Sequence, residues 1–261
     1  MLLRSLPSLG ALDYYVESSL VSVEDSIFDQ MIMPSEFADG GILHVVPAVG
    51  ANSEANPANV LAKISRAYVE RTDEKGNDLS FLDRTRMLLT KLSEKSSYDA
   101  IFVDARAGLN EATAGVLLGL GAEILLFGIN TPQTFSGYRF LLSHLGRFRP
   151  AESGDRDWRY RLHMVHAKAG PSPTEHASFR TQAFELFADT IYDQEEGVEA
   201  NSFNFDYDDQ AAPHFALTIL DDSNFSEFDP LARSDQVSRH FYDRTFGQFI
   251  TGLAEKIGLR T

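Results

Sequence analysis

The 261-residue sequence contains no cysteine. Disulfide bonds, thiolate metal sites and cysteine nucleophiles are therefore excluded. The sequence also has no apolar run of membrane-spanning length, and its first residues lack the apolar core and cleavage site of a secretory signal. These absences predict a soluble protein without a membrane span, and the expected compartment is the cytoplasm.

Positive charge is scarce: 23 Lys and Arg stand against 38 Asp and Glu, a formal net charge of −15. Such an excess argues against nucleic acid or an anionic membrane as the main binding partner. The basic stretch Arg147–Arg161 is interpreted as a solvated loop. No linker rich in proline, glycine or serine divides the chain, so a single α/β domain over residues 1–261 is predicted.

Short apolar runs alternate with amphipathic stretches, which predicts an α/β fold with a mainly parallel sheet flanked by helices. The predicted strands are Gly41–Pro47, Ala100–Val103, Glu123–Ile129, Arg161–Ala167 and His214–Leu220. The predicted helices are Val60–Val69, Asp83–Glu94, Leu109–Leu120, His176–Asp193 and a last helix from about Ser234 to Ile257. Residues 193–210 are strongly acidic with interleaved aromatics, and we interpret them as an acidic surface insertion.

The stretch Tyr98–Leu145 reads as strand, loop, helix, strand, loop and helix. Ligands of a parallel sheet bind at the carboxyl ends of its strands. Asp104, Arg106, Gly108 and the loop Thr131–Gly137 are predicted at that edge. A carboxylate fixed by a strand end can hold Mg²⁺ through water beside nucleotide phosphates, but on this pattern alone an aspartate that caps the next helix is the commoner interpretation.

The segment YDAIFVDARAGL, with the helix before it and GINTPQTFSGYRFLLSHL after it, resembles the ParA/MinD-type deviant-Walker P-loop ATPases. It is most similar to the variant branch whose P-loop reads KGGVGR. The resemblance is strongest over residues 82–145 and implies a three-layer, P-loop NTPase-like fold. It also implies ATP and Mg²⁺ as ligands and Mg²⁺-dependent ATP hydrolysis coupled to dimer formation.

By position, the resemblance makes Asp104 the Walker B residue, holding Mg²⁺ through water, and makes Arg106 and Gly108 part of the switch loop. Thr131 and Pro132 match the family's T-P-Q turn. His166 and Lys168 end the strand that faces the adenine, where the family often has an asparagine that this sequence lacks.

The sequence contains no G-x-x-x-x-G-K-[ST] and no KGGVGR-like run. In the family that loop belongs to a first β-α-β unit, which supplies the amide cradle, the lysine and the Mg²⁺-binding hydroxyl. The leading hypothesis is therefore an ATPase of this type that lacks its first β-α-β unit, by truncation or degeneration, with weak or no activity. An in-frame KGGVGR-like stretch upstream of the start codon would favour truncation.

Two other hypotheses stay open. The first is a non-catalytic interaction module on the same fold, a homodimer or a partner of another protein, with Glu195–Asp209 and the phenylalanine-rich last helix as its surfaces. The second is an unrelated doubly wound enzyme. A metal site at His163 and His166 is disfavoured, since residues three apart on a strand point to opposite faces.

Overall fold

The computed structural model describes residues 3–38, 40–72, 78–105, 111–148, 157–193, 202–230, 232–233, 236 and 238–258, and the side chains of 111–114 are outside this description. Contacts group the chain into two compact units. The first consists of Met1–Arg106 with Asp229–Ala232, and the second of Ala107–Phe228 with Arg233–Thr261. The single domain expected from the sequence stays a prediction.

The described part of the first unit is mainly helical, with two short antiparallel strand pairs, β1–β2 and β3–β4. Its helices are α1 (Ala11–Ser18), α2 (Ser26–Asp29), α3 (Ala51–Glu54), α4 (Val60–Ala67) and α5 (Phe81–Ser93), with a 3₁₀ turn at Pro57–Asn59. Its strands are β1 (Met33–Pro34), β2 (His44–Val45), β3 (Arg71–Thr72) and β4 (Asp78–Leu79).

Helix α5 begins at a capping box. The Ser80 hydroxyl accepts from the Asp83 N–H at 3.1 Å, and the Asp83 carboxylate accepts from the Ser80 N–H at 3.1 Å. This exchange satisfies two N–H groups that a helix start leaves without partners. The apolar side of α5 then contributes to the core of the first unit, whose buried members are Tyr14, Ile27, Phe28, Met31 and Leu88.

A buried arginine on α5 ties three chain segments together. The guanidinium of Arg84, 1% exposed, donates to the carbonyls of Tyr15 at 2.8 Å, Ala67 at 2.8 Å and Val69 at 3.1 Å. Burial lowers the pKa of Arg84 from its ordinary value, and the neighbouring Tyr14 and Tyr15 oppose that effect. The guanidinium charge is therefore stabilised in the interior by the backbone carbonyls that accept its hydrogen bonds.

The second unit contains a three-stranded parallel sheet with strand order β5–β6–β7. The elements are α6 (Glu111–Gly119), β5 (Ile124–Gly128), α7 (Pro132–Leu145), β6 (Leu162–Ala169), α8 (Pro173–Thr190), β7 (Leu217–Leu220) and α9 (Arg239–Lys256), with 3₁₀ turns at Trp158–Arg161 and Ser223–Phe225. The α/β class and the parallel sheet flanked by helices are thus confirmed.

Helices cover both faces of this sheet. One face packs against α7 and α8, in a core that includes Leu126, Leu162, Met164, Leu142 and Phe179. On the other face, Val165 and Leu217 contact Phe249 of α9. Five consecutive residues of the central strand β6, Leu162–His166, are buried, His163 and His166 among them, because helices cover both faces of the strand.

Three strand predictions differ from the structure. Of the predicted strand His214–Leu220, only Leu217–Leu220 is extended in a ladder. Only His44–Val45 of the predicted strand Gly41–Pro47 is extended in a ladder, and it pairs antiparallel with Met33–Pro34. Residues 100–103 form no strand, and Ile101, Phe102 and Val103 are 48%, 87% and 48% exposed. An apolar run becomes a strand only where another strand accepts its backbone hydrogen bonds, and the described residues supply none here.

The described part of the acidic segment, residues 202–210, is joined to the core of the second unit. Phe203 is 1% exposed, and its N–H donates to the Asp193 carboxylate at 2.7 Å. Asp206 and Asp208 are exposed. The aromatic side chains of this segment thus pack inward while two of its carboxylates face water.

A search of the described residues finds no helix that is both long and apolar enough to cross a membrane.

Replacing Arg84 with alanine should lower the free energy of unfolding by about 3 kcal/mol or more, because the carbonyls of Tyr15, Ala67 and Val69 would lose their donor and a buried side chain would be removed. Urea denaturation followed by circular dichroism measures the change. Arg86→Ala, on the exposed side of the same helix, is the matched control and should cost less than about 1 kcal/mol. Equal losses in the two variants would contradict a structural role for Arg84.

Candidate functional site at the carboxyl edge of the sheet

The parallel register brings the carboxyl ends of the three strands together. Gly128 of β5 aligns with His166 of β6, and His166 aligns with Thr218 of β7. We call the residues that close these strands, 128–132, 166–170 and 220–222, the carboxyl edge. Ligands of open parallel sheets bind at such an edge.

Helix α7 starts directly after β5. Thr131 is its N-cap residue and Pro132 its first helical residue, a position where proline is favoured because its missing N–H costs no helical hydrogen bond. The predicted loop Thr131–Gly137 is therefore wrong beyond its first residue. A Cβ on Gly128 would lie 2.4 Å from Thr134 Cγ2, so only glycine permits this close approach of helix and strand.

The end of β6 is irregular. Its ladder with β7 shifts register between His166 and Ala169, and Lys168 has a positive φ of 51°, which is uncommon outside glycine. The loop that follows is closed by α8: the Gly170 N–H donates to Glu175 Oε1 at 3.3 Å, and His176 Nε2 donates to the Gly170 carbonyl at 2.7 Å. This conformation leaves the Lys168 side chain exposed.

His166 lies beneath this loop, 2% exposed, and its ring stacks on Phe179 with centroids 4.0 Å apart. Its Nε2 has no hydrogen-bond partner, and Glu175 Oε1 is 3.6 Å away. Burial lowers the pKa of His166 below its ordinary 6.5, and the nearby His176 lowers it further. A cavity of about 80 Å³ adjoins the ring, large enough for a few water molecules.

Asp222 follows β7 and is held by α9. Its carboxylate accepts from the Arg244 guanidinium, from the Thr245 hydroxyl at 3.1 Å and from the Asn224 N–H at 3.0 Å. These donors, with Arg244 the strongest, hold the pKa of Asp222 far below its usual range. The carboxylate is thus ionised and already satisfied, which suits it to fixing the loop against α9.

The structure brings four of the predicted site residues to the carboxyl edge of one sheet. Thr131 and Pro132 start α7, His166 is buried in β6, and Lys168 is exposed after the register shift. Asp104 lies in the first unit and is exposed, with no strand before it. Arg106 and Gly108 fall outside the described residues. The roles assigned to these residues stay predictions.

No group of three or more His, Asp or Glu side chains within the described ranges is arranged to hold a metal ion. His163 and His166 point to opposite faces of β6, as predicted: His163 Nε2 lies 2.8 Å from Glu123 Oε2, whereas His166 stacks on Phe179.

Sequence reasoning missed Asp222 and its partners. The pair Asp221–Asp222 after a predicted strand was a usable signal, since polar residues at a strand's carboxyl end are candidates by position. The partner Arg244 lies 22 residues further on, in a helix without a distinguishing motif, so only the fold identifies it.

Comparison with known proteins identifies no match among family models, curated proteins or solved structures.

Stability should decrease as pH falls through 6.5. In the unfolded chain His166 takes up a proton near its ordinary pKa of 6.5, whereas in the folded chain its lowered pKa keeps it neutral. The neutral His166 therefore contributes its full share of the free energy of unfolding above pH 6.5, and this share is lost as the pH falls below 6.5. Burial lowers the pKa of His214 in the same direction. Urea midpoints measured between pH 8 and pH 5 should fall less in His166→Gln than in the wild type, each relative to its own value at pH 8. If the urea midpoint of His166→Gln fell with pH as steeply as that of the wild type, this role of His166 would be contradicted.

Gly128→Ala should lower the free energy of unfolding by about 1–3 kcal/mol, because the added Cβ collides with Thr134 Cγ2. Thr134→Ser removes that methyl group but keeps the hydroxyl, so most of the loss should disappear when Gly128→Ala is made in this background. Gly137→Ala in α7 is the control, since a Cβ there meets nothing within 4 Å. Thermal unfolding of the wild type, the two single variants Gly128→Ala and Thr134→Ser, and the double variant gives the coupling free energy between residues 128 and 134. If the losses of the two single variants simply added in the double variant, the contact between these residues would be refuted.

Proposed function

We propose that this chain is a ParA/MinD-like ATP-binding fold that does not hydrolyse ATP by itself. The observation that carries the proposal is the parallel sheet whose register gathers Thr131, Pro132 and Lys168 at one carboxyl edge. At the start of the 14-residue helix α7, Pro132 has no N–H and the Thr134 N–H donates to the Thr131 carbonyl at 3.1 Å, which leaves the Gln133 N–H to face a ligand. Lys168 adds an exposed positive charge. Such groups favour an anionic ligand.

Two observations support the proposed lack of ATP hydrolysis: one concerns the sequence and the other Asp104. No G-x-x-x-x-G-K-[ST] occurs in the chain, so the amide cradle, the lysine and the hydroxyl that hold phosphate and Mg²⁺ in the family have no counterpart. Asp104, the Walker B candidate, is exposed. A carboxylate can assist phosphoryl transfer only where other groups place Mg²⁺ and the phosphate beside it.

The open side of β5 is consistent with this proposal. Within the described residues β5 pairs only with β6, and Phe127 on β5 is 49% exposed. A further strand at that side would offer hydrogen-bond partners to the outer backbone groups of β5. The Phe127 carbonyl already accepts from the Tyr138 hydroxyl at 2.6 Å. The resemblance implies a first β-α-β unit in the family, which is the element that carries the P-loop.

A second candidate function, a non-catalytic interaction module, is favoured by one observation. Phe102 is 87% exposed between two half-exposed apolar residues, and exposed apolar surface is typical of sites that bind another protein. The two candidates differ in nucleotide binding, because a module of this second kind has no use for ATP.

We expect no Mg²⁺-dependent ATP hydrolysis above the buffer background, measured as phosphate release, and no change on Asp104→Ala. Robust turnover that disappears in Asp104→Ala would overturn the claim that the chain cannot hydrolyse ATP alone.

Binding is tested separately by thermal unfolding with and without millimolar ATP and Mg²⁺. A ligand that binds only the folded state stabilises it by RT ln(1 + L/Kd), where L is the ligand concentration, so the midpoint rises with ligand concentration and with affinity. We expect a rise in the wild type, a smaller rise in Lys168→Gln, and a rise equal to wild type in the control Arg239→Ala, which removes an exposed charge from α9. No rise at all would favour the interaction module.

A further inference from the structure

The second unit has an aromatic groove of about 490 Å³ on the side of α8, separate from the carboxyl edge. Three aromatic side chains line it: Phe184 of α8, Tyr192 just after α8, and Phe205 of the acidic segment. Tyr192 contacts both of the others, with ring centroids 6.4 Å from Phe184 and 5.7 Å from Phe205. The volume is that of a typical ligand pocket, about 300–1,000 Å³.

Buried contacts hold this aromatic lining in place. The Tyr192 hydroxyl forms a hydrogen bond with His214 Nδ1, and burial raises the pKa of Tyr192 above its ordinary value. Phe205 packs edge-on against the buried Phe203, with centroids 5.1 Å apart. The groove is therefore largely preformed, which lowers the entropic cost of binding.

The polar part of the lining is acidic. Asp193, Asp206 and Asp209 line the groove, and none of its described lining residues is basic. Asp193 binds Arg159 at 2.6 Å. Among the described residues neither Asp206 nor Asp209 has a basic side-chain nitrogen within 4 Å, although burial lowers the pKa of Lys256 and the charge of Asp209 opposes that shift. In the sequence, residues 193–210 contain seven acidic residues and no basic one.

The described part of the same unit holds several guanidinium groups by the same combination of side chains, and two of them lie near this groove's elements. Arg159 lies 4.3 Å over the Phe203 ring and 2.6 Å from Asp193. Arg180 lies 4.5 Å over the Phe215 ring, with Asp208 at 2.9 Å. In both places an aromatic face and a carboxylate share one arginine.

We propose that the groove binds an arginine side chain presented by a basic segment of a partner protein. Phe205 and Tyr192 supply the aromatic faces, and Asp206 and Asp209 supply the carboxylates. An aromatic face attracts a cation through its quadrupole, and arginine also stacks on it as a planar group. The charge of −15 adds long-range attraction for a basic partner. This proposal does not depend on nucleotide binding.

The test measures, by fluorescence anisotropy, the binding of a fluorescein-labelled twelve-residue peptide of alternating arginine and glycine to the 261-residue chain. The same peptide with lysine, and with glutamine, in place of arginine provides the comparison. We expect the order arginine, then lysine, with no binding of the glutamine peptide. Equal affinity for the arginine and lysine peptides would overturn the assignment to arginine, because a non-specific charge effect would then suffice.

Asp206→Asn with Asp209→Asn should weaken binding of the arginine peptide by about tenfold, because two carboxylates are lost. Asparagine keeps the oxygen that Asp209 offers to the Ala211 N–H at 2.8 Å, so the turn is preserved. Asp29→Asn with Asp243→Asn removes the same charge from exposed sites elsewhere and should leave the affinity within about twofold. Equal weakening by both pairs would overturn the proposal.

Phe205→Leu removes the aromatic ring but keeps an apolar side chain, so it tests the contribution of the ring itself. The arginine peptide should lose affinity severalfold, while thermal unfolding verifies that the variant is folded. Unchanged affinity in a folded Phe205→Leu would contradict the stacking of arginine on this ring.

Discussion

The burial of strand β6 is the constraint on which the second unit depends. Residues Leu162–His166 are all buried, between α7 and α8 on one face and α9 on the other. The backbone groups of a strand covered on both faces need partners within the sheet, and β6 pairs in parallel with β5 over Leu162–His166 and with β7 from Val165 onward. That register places the loops of the carboxyl edge side by side, and the proposed ligand site follows from it.

Polar groups hold each unit together where apolar contact cannot. In the first unit Arg84 binds three backbone carbonyls, and in the second Arg244 and Thr245 bind Asp222. Arg84 is buried and Arg244 is half-exposed, so only for Arg84 does burial without its partners carry the full cost of desolvation. The buried nitrogens Arg84 Nε and His166 Nε2 have no hydrogen-bond partner among the described residues, and His166 lies beside a small cavity.

Periodicity in the sequence predicted the elements whose burial is strong. Arg161–Ala167 and Glu123–Ile129 were predicted as strands and are β6 and β5, and the predicted helix Asp83–Glu94 is α5 (Phe81–Ser93). The prediction was wrong at residues 100–103, since an apolar pattern specifies a strand only if a neighbouring strand is present. Of the candidate site, Thr131, Pro132, His166 and Lys168 lie at the expected edge because strand ends can be read from the sequence.

The sequence by itself determined which residues are available: it has no cysteine and no G-x-x-x-x-G-K run, and its formal net charge is −15. Those statements need only residue identities. The tertiary structure decided which distant residues meet, such as Asp222 with Arg244, and Tyr192 with Phe205 beside Asp206. Such contacts join helices and loops through a shared core, and no local pattern encodes which side chains the packing of that core will bring together.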